Sequence, residues 1–208
     1  TPNGSRSQNG QNGYLPTGNY GFSDDFEKDT LDMRWIAVRG PREKFVEHAK
    51  KGLLIYPSDQ NIKARKPMAA LFHRQQHLFF ESTATLNYQP ENEQELAGMV
   101  CYQNERFNYV FGVTKIAGQT QLVLSRTEKG QSTLLAQEQI ALNGPIVLKI
   151  KGDGDRYSFR FSQDGGKSFR DLGKTASGDI LSTDVAGGFT GNLIGLYATS
   201  ANDIGSEK

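Results

Sequence analysis

The sequence is poor in the material that several protein classes require. Its one cysteine, Cys101, leaves no partner for a disulfide within the chain, so disulfide logic lends no support to an extracellular address. Histidine is scarce, with only His48, His73 and His77. No apolar run approaches the ~20 residues that span a bilayer. Charge of neither sign is in excess, since 24 Lys+Arg face 23 Asp+Glu for a formal net charge of +1. Nucleic acid and anionic membranes select clustered positive charge, so neither is expected as the main partner. A G-x-S-x-G elbow is missing, as is a glycine-rich phosphate loop that follows a strand and opens a helix.

What is present suits a β domain. Hydrophobic residues make up 36% of the 208, enough for a packed core, and 23 glycines supply many turns. Residues 1–19, TPNGSRSQNGQNGYLPTGN, carry only Tyr14 and Leu15 as bulky apolar side chains. Such a stretch cannot offset its ordering entropy by burial. It reads as a flexible linker to something upstream, or as a tail. A start at Thr1 rather than Met fits a removed signal peptide or upstream domain. The compartment stays open, with a secreted or periplasmic address ahead of the cytoplasm.

From Tyr20 onward strand and turn signals alternate. Strands are expected at Gly52–Tyr56, Leu78–Tyr88, Gly98–Tyr102, Tyr109–Thr114 and Gln121–Arg126. Ile146–Lys151 and Tyr157–Phe161 alternate with period two, as half-buried strands do. Leu193–Ala198 is nearly continuous apolar and reads as a central strand. Spacings of this kind, without a long amphipathic helix, predict an all-β, two-sheet antiparallel β-sandwich. One helical turn is expected, at Glu91–Leu96.

Two hairpins carry visible turn chemistry. Lys151-Gly-Asp-Gly-Asp155 supplies residues that accept positive φ. Ser162-Gln-Asp-Gly-Gly-Lys-Ser-Phe169 fits the Asp-box pattern S-x-D-x-G-x-S-(W/F). In it Asp164 is expected to cap turn N–H groups, Gly166 to take the left-handed conformation, and Phe169 to fold into the core.

Catalytic patterns are poorly supported. A jelly-roll glucanase would carry E-x-D-x-x-E on one strand, with carboxyl groups ~5–5.5 Å apart for a retaining mechanism. The nearest string, Glu91, Glu93 and Glu95, follows Pro90 in a polar stretch and reads as solvated surface. His73 and His77 have the i, i+4 spacing of helical metal ligands. Their segment looks extended, however, which would hold them ~13 Å apart. Cys101 lies between Val100 and Tyr102 and reads as a buried structural thiol. Gly187-Gly-Phe-Thr-Gly191 is different, because it sets Phe189 between glycines just before an apolar strand. Phe189 either faces outward as a sugar platform or wedge, or caps the end of the core.

An ordered series of motifs then resembles a known family. Ser23-Asp-Asp-Phe26, Leu31, Trp35 and Arg39-Gly-Pro41 come first, followed by Gly52-Leu-Leu54. Leu71-Phe-His-Arg-Gln75, His77, Phe80, Pro90 and Ala97-Gly98 continue it. Tyr157–Gly165, Gly188-Phe-Thr-Gly191 and Ile194-Gly-Leu-Tyr197 complete it. The series covers residues 23 to about 199 and resembles the C-terminal concanavalin A-like sandwich, of jelly-roll type, of family 43 β-xylosidases and α-arabinofuranosidases.

The resemblance implies an accessory module without catalytic residues of its own. In the family, a five-bladed propeller of the same polypeptide carries the catalytic carboxylates and inverts configuration. The sandwich packs against it and lends an aromatic to the sugar pocket. The G-F-T-G match makes Phe189 that aromatic here, with a plant cell-wall oligosaccharide as the substrate of the whole. Family sandwiches usually end in a further acidic-aromatic strand, which the tail Ser200–Lys208 does not offer. The module, residues 20–208, is therefore expected to lack its last strand. No cofactor is implied beyond a possible structural calcium ion at Asp24 and Asp25, which otherwise cap a turn. The alternative to an accessory module is a free-standing carbohydrate-binding or lectin-like domain.

Overall fold

The computed structural model describes residues 21–187 and 191–205, together with the backbone of the two-residue strands at 5–6, 14–15 and 206–207. Strands β1 (Ser5–Arg6) and β2 (Tyr14–Leu15) pair with each other in the stretch expected as a linker. The rest of that stretch lies outside the described residues. Strands β3 (Val46–His48) and β4 (Leu53–Ile55) form a separate short hairpin.

The body of the molecule follows. It begins with β5 (Ala69–Arg74), β6 (Phe79–Leu86), β7 (Leu96–Asn104), β8 (Phe107–Ile116), β9 (Gln119–Glu128) and β10 (Gln131–Gln139). Then come β11 (Ile146–Asp153), β12 (Arg156–Ser162), β13 (Arg170–Asp171) and β14 (Ala176–Ser177). A single helical turn, α1 (Thr183–Ala186), precedes β15 (Leu193–Thr199) and β16 (Ser206–Glu207). One sheet runs β16-β10-β9-β8-β7-β15-β5 and the other β13-β12-β11-β6, with β14 also on β12. All neighbours are antiparallel except β16, which lies parallel to β10 at the sheet edge.

The expected sandwich is thus present, and its core is built by period-two alternation. Ile146, Leu148 and Ile150 of β11 face inward, and so do Phe159 and Phe161 of β12. They meet Cys101, Phe111, Leu122 and Leu124 from the facing sheet. Each such side chain contributes about 1.5–3 kcal/mol by leaving water. The intervening Lys149, Lys151 and Asp153 lie on the outer face, Lys151 and Asp153 exposed and Lys149 partly covered.

The seven-stranded sheet is buried on its other face as well. Phe72, Val100, Val110, Val123 and Tyr197 pack there beneath Ile62 and Met68, with Ile36 and Val38 at the margin. Ile36 bridges Phe72 by reciprocal backbone hydrogen bonds of 2.8 Å. This roof explains why β7 and β8 are buried almost throughout, and why β15 reads as a continuous apolar, central strand although it lies one place from the edge.

Several expectations require correction. Leu71–Phe80 is not one extended segment. β5 ends at Arg74 and the chain crosses between sheets at 75–78, so His73 and His77 do not share a strand. β10 escaped detection because its sequence, QSTLLAQEQ, is mostly polar. It is half-exposed near the sheet edge and needs little apolar alternation. The stretch from Glu91 is a turn rather than a helix, and Leu96 already starts β7. Glu95 is also more than solvated surface. Its carboxylate accepts from the Glu91 amide at 2.9 Å, Asn92 Nδ2 at 2.9 Å and the Tyr88 hydroxyl at 3.2 Å.

The Asp box forms as expected around Asp164. Its Oδ1 accepts from the amides of Lys167 and Ser168, both at 3.0 Å, and from Ser162 Oγ at 2.6 Å. Gly165 and Gly166 take φ of +75° and +87°. Phe169 departs from expectation, since it does not enter the core. It lies on the outer face of the smaller sheet, with Lys149 Nζ 4.4 Å from its ring centroid and Arg160 at 6.0 Å. Two cations over the ring keep it at the surface.

Candidate functional site

Sequence reasoning singled out the segment Gly187–Gly191. Gly188, Phe189 and Thr190 lie outside the described residues, but both ends of the segment are defined. Gly187 has φ +71° and Gly191 has φ +70°, a region that disfavours any side chain with a Cβ. The glycines are therefore required by the backbone path.

Each end is tied to the sandwich by side chains. On the entering side, Ser182 caps α1 by accepting from the Val185 amide at 3.3 Å. The carbonyls of Ala186 and Gly187 are orphans of the helix C-terminus. They accept from Asn104 Nδ2 at 3.1 Å and from Gln103 Nε2 at 3.3 Å, at the end of β7. On the leaving side, Asn192 precedes β15 and faces Gln75, the residue just past β5. The Gln75 amide donates to the Asn192 carbonyl at 3.0 Å. Gln75 Oε1 accepts from both Asn192 Nδ2 and the Tyr157 hydroxyl at 2.6 Å, and Gln75 Nε2 donates to the His77 carbonyl at 2.9 Å.

Tyr157 is itself held by packing. Phe80 meets its ring edge-on, with centroids 5.5 Å apart. Gly152, opposite Phe80 in the β6–β11 ladder, leaves room for that ring, which a Cβ would strike. Burial pushes the Tyr157 hydroxyl well above the ordinary tyrosine range, so it acts as a neutral donor. Gln103 Oε1 and Asn192 Oδ1 are buried and accept no hydrogen bond from the described residues.

The same end of the sandwich exposes apolar side chains. Leu78 and Phe79, where the chain enters β6, are 65% and 71% exposed, and Val185 of α1 is 47% exposed. Consecutive apolar residues this exposed are unusual on a soluble surface and mark a contact region.

Asp24 and Asp25, the residues expected either to hold calcium or to cap a turn, accept hydrogen bonds from the backbone that follows them. Asp24 accepts from the Phe26 amide at 2.9 Å and from Trp35 Nε1 at 2.8 Å, and Asp25 accepts from the Glu27 amide at 3.0 Å. Trp35 packs between Phe22 and Phe26, and Phe22 stacks on His73 at 4.9 Å. Among the described residues no group of three or more His, Cys, Asp or Glu side chains is placed to hold a metal ion. Cys101 is fully buried in the core, and burial raises its thiol pKa.

Composition and periodicity drew attention to Phe189 and missed the residues that anchor its loop. Gln75, Tyr157 and Asn192 are distant in sequence and unremarkable one by one. The available signal was an amide residue directly after one strand, β5, and another directly before a second, β15.

The profile of the beta xylosidase C-terminal concanavalin A-like domain matches residues 23–207. A non-reducing end alpha-L-arabinofuranosidase of Bacteroides ovatus is 26% identical over 178 residues, which is 85% of this chain and 33% of that protein. A putative beta-xylosidase of Escherichia coli is 24% identical over 194 residues, 88% of this chain and 36% of that protein. Among solved structures, a GH43_12 protein from a capybara gut metagenome superposes with a TM-score of 0.81 at 37% identity, covering 95% of this chain and 38% of that one. The chain spans about a third of the length of these relatives. It belongs to the beta xylosidase C-terminal concanavalin A-like domain family, the C-terminal domain of family 43 proteins of the xylosidase and arabinofuranosidase type.

Proposed function

We propose that the chain is the accessory module of a hemicellulose-degrading glycosidase, non-catalytic by itself, that packs on a five-bladed catalytic propeller of the same polypeptide. The exposed Leu78 and Phe79 beside the anchored ends of the 187–191 loop carry this reading. An apolar rim there suits burial against a neighbouring domain, and a loop rooted beside it can lend Phe189 to the sugar pocket. The substrate class is a plant cell-wall oligosaccharide ending in xylose or arabinose, in keeping with the names of the relatives.

The alternative, a free-standing lectin-like domain, would use a sheet face as its platform. The roof of residues such as Ile62 and Met68 over the seven-stranded sheet favours the accessory role.

Assay of the purified chain on aryl xylosides and arabinosides is expected to give no turnover, and sustained hydrolysis overturns the reading. In the full glycosidase, Phe189→Ala lowers kcat/KM by up to about a hundredfold through lost substrate positioning. The same change leaves the melting midpoint of the isolated chain nearly unaltered. A loss of about 3–5 kcal/mol in the chain would instead make Phe189 a core residue.

A further inference from the structure

We infer that Gln75 is a positioning residue, the hub of the leaving side of a two-sided clamp that fixes the ends of the 187–191 loop from within the sandwich. The inference rests on the proposed function for its catalytic consequence, but the clamp is argued from the sandwich alone. Every polar group that Gln75 offers on this side is used. Its amide, Oε1 and Nε2 hold the Asn192 carbonyl, the Asn192 and Tyr157 donors, and the His77 carbonyl. Tyr157 is 3% exposed, so its bond to Gln75 is shielded from water and its strength is preserved. Asn192 Nδ2 also reaches the Tyr157 hydroxyl at 3.3 Å, which closes a triangle of side chains from β12 and the two strand ends.

The entering end is held independently. Gln103 is 4% exposed and Asn104 follows it at the end of β7, and their amides take the last two carbonyls before Gly188. Residues 102 and 193 are paired in the β7–β15 ladder, so Gln103 and Asn104 on one side and Asn192 on the other continue adjacent, paired strands. The separation of the two loop ends is therefore set by the sheet. Glycine freedom at 187 and 191 is confined between fixed points, and the loop needs no propeller surface to define where it begins and ends.

Amide hydrogen exchange on the 208-residue chain tests the clamp. Gln75→Ala is expected to raise exchange at Leu193 and at the amide of residue 75, which bonds the Asn192 carbonyl, by about tenfold or more, while Gly187, held from Thr183 and Gln103, and the amides of β8 and β9 stay within twofold. Tyr157→Phe, which keeps the ring and removes only the hydroxyl, raises exchange at the Gln75 amide in the same direction. Gln75→Glu retains both acceptor bonds but loses the donor to the His77 carbonyl, so it restores the protection in part. Protection within twofold of the parent in both Gln75→Ala and Tyr157→Phe overturns the clamp. So does loosening that spreads evenly through β8 and β9. In the full glycosidase, Gln75→Ala lowers kcat/KM and Gln75→Glu recovers part of it. A loosened leaving end with unchanged kcat/KM upholds the clamp and overturns the role of the loop in the sugar pocket.

Discussion

Gly98 stands directly across from Gly112 in the β7–β8 ladder, each occupying the space a side chain on the other strand would need. A Cβ on Gly98 would collide with the Phe111 carbonyl and with Cα of Gly112, and one on Gly112 would lie 2.5 Å from the Ala97 carbonyl oxygen. Both neighbours are backbone within a paired sheet and cannot move aside. Gly98→Ala is therefore expected to destabilise the chain by about 1–3 kcal/mol. Thermal melting should show this as a drop of roughly 2–10 °C for a domain of this size. An unchanged midpoint would mean that the two strands separate more easily than their pairing implies.

The Asp box separates a capping residue from a surface aromatic. Phe169→Ala removes a ring that lies under two cations, so its cost is about 0.5–1 kcal/mol, well below the ~3–5 kcal/mol of a core phenylalanine. Chemical denaturation of the two proteins distinguishes these values. Asp164→Ala should expose the Lys167 and Ser168 amides to exchange.

The pH dependence of that turn follows from the Asp164 carboxyl. Hydrogen bonds from Ser162 and Ser168, joined by the Ser168 and Lys167 amides, hold its pKa well below the ordinary carboxylate range. A carboxyl shifted down stabilises the folded form above its unfolded pKa of about 3.9 and loses that contribution as pH falls further. Protection of Lys167 and Ser168 should be flat from neutrality down to about pH 4 and decline only below it.

Asp24 is expected to act through Trp35. Trp35 is the only tryptophan, so its fluorescence reports the cluster of Phe22, Phe26 and His73. Asp24→Ala should shift that emission and cost about 1 kcal/mol, the worth of one net hydrogen bond. A chelator should leave the melting midpoint of the parent chain where it was. A fall that calcium reverses would place a cation at Asp24 and Asp25.

Buried tyrosines predict weakness in alkali. Burial raises the hydroxyl pKa of Tyr109 to about 12 and pushes that of Tyr157 higher still. A tyrosine shifted upward is neutral when folded and ionises first when unfolded. The stability it protects is fully present below about pH 10 and is lost as pH rises toward the folded pKa. Stability should fall steadily above about pH 10, and Tyr157→Phe should make the fall shallower. Ultraviolet difference spectra should show the phenolate of the buried tyrosines, unlike that of the exposed Tyr56, appearing only as the chain unfolds.

Much of the fold was legible because period-two alternation and turn chemistry are local. Ile146–Lys151 and Tyr157–Phe161 declare their inner faces residue by residue, and Gly154 and Gly166 announce turns by a conformation other residues avoid. β10 was illegible for the opposite reason. A half-exposed strand next to a two-residue edge strand carries little apolar pattern, and its place is fixed by hydrogen bonds to β9. Phe169 was misjudged because the Asp-box pattern specifies the turn and leaves the aromatic free to choose a face. Lys149, twenty residues upstream, made that choice.

The sequence by itself determined the two-sheet class, the turns, the buried thiol and the family, because each depends on residue type at short range or on an ordered series of motifs. Tertiary structure alone decided that the chain changes sheets between Arg74 and Phe79, and that a roof covers the larger sheet. It also decided that Gln75, Tyr157 and Asn192 meet. Those relationships join residues up to 117 positions apart, and a distance that long is set by strand order and packing, which no local pattern encodes.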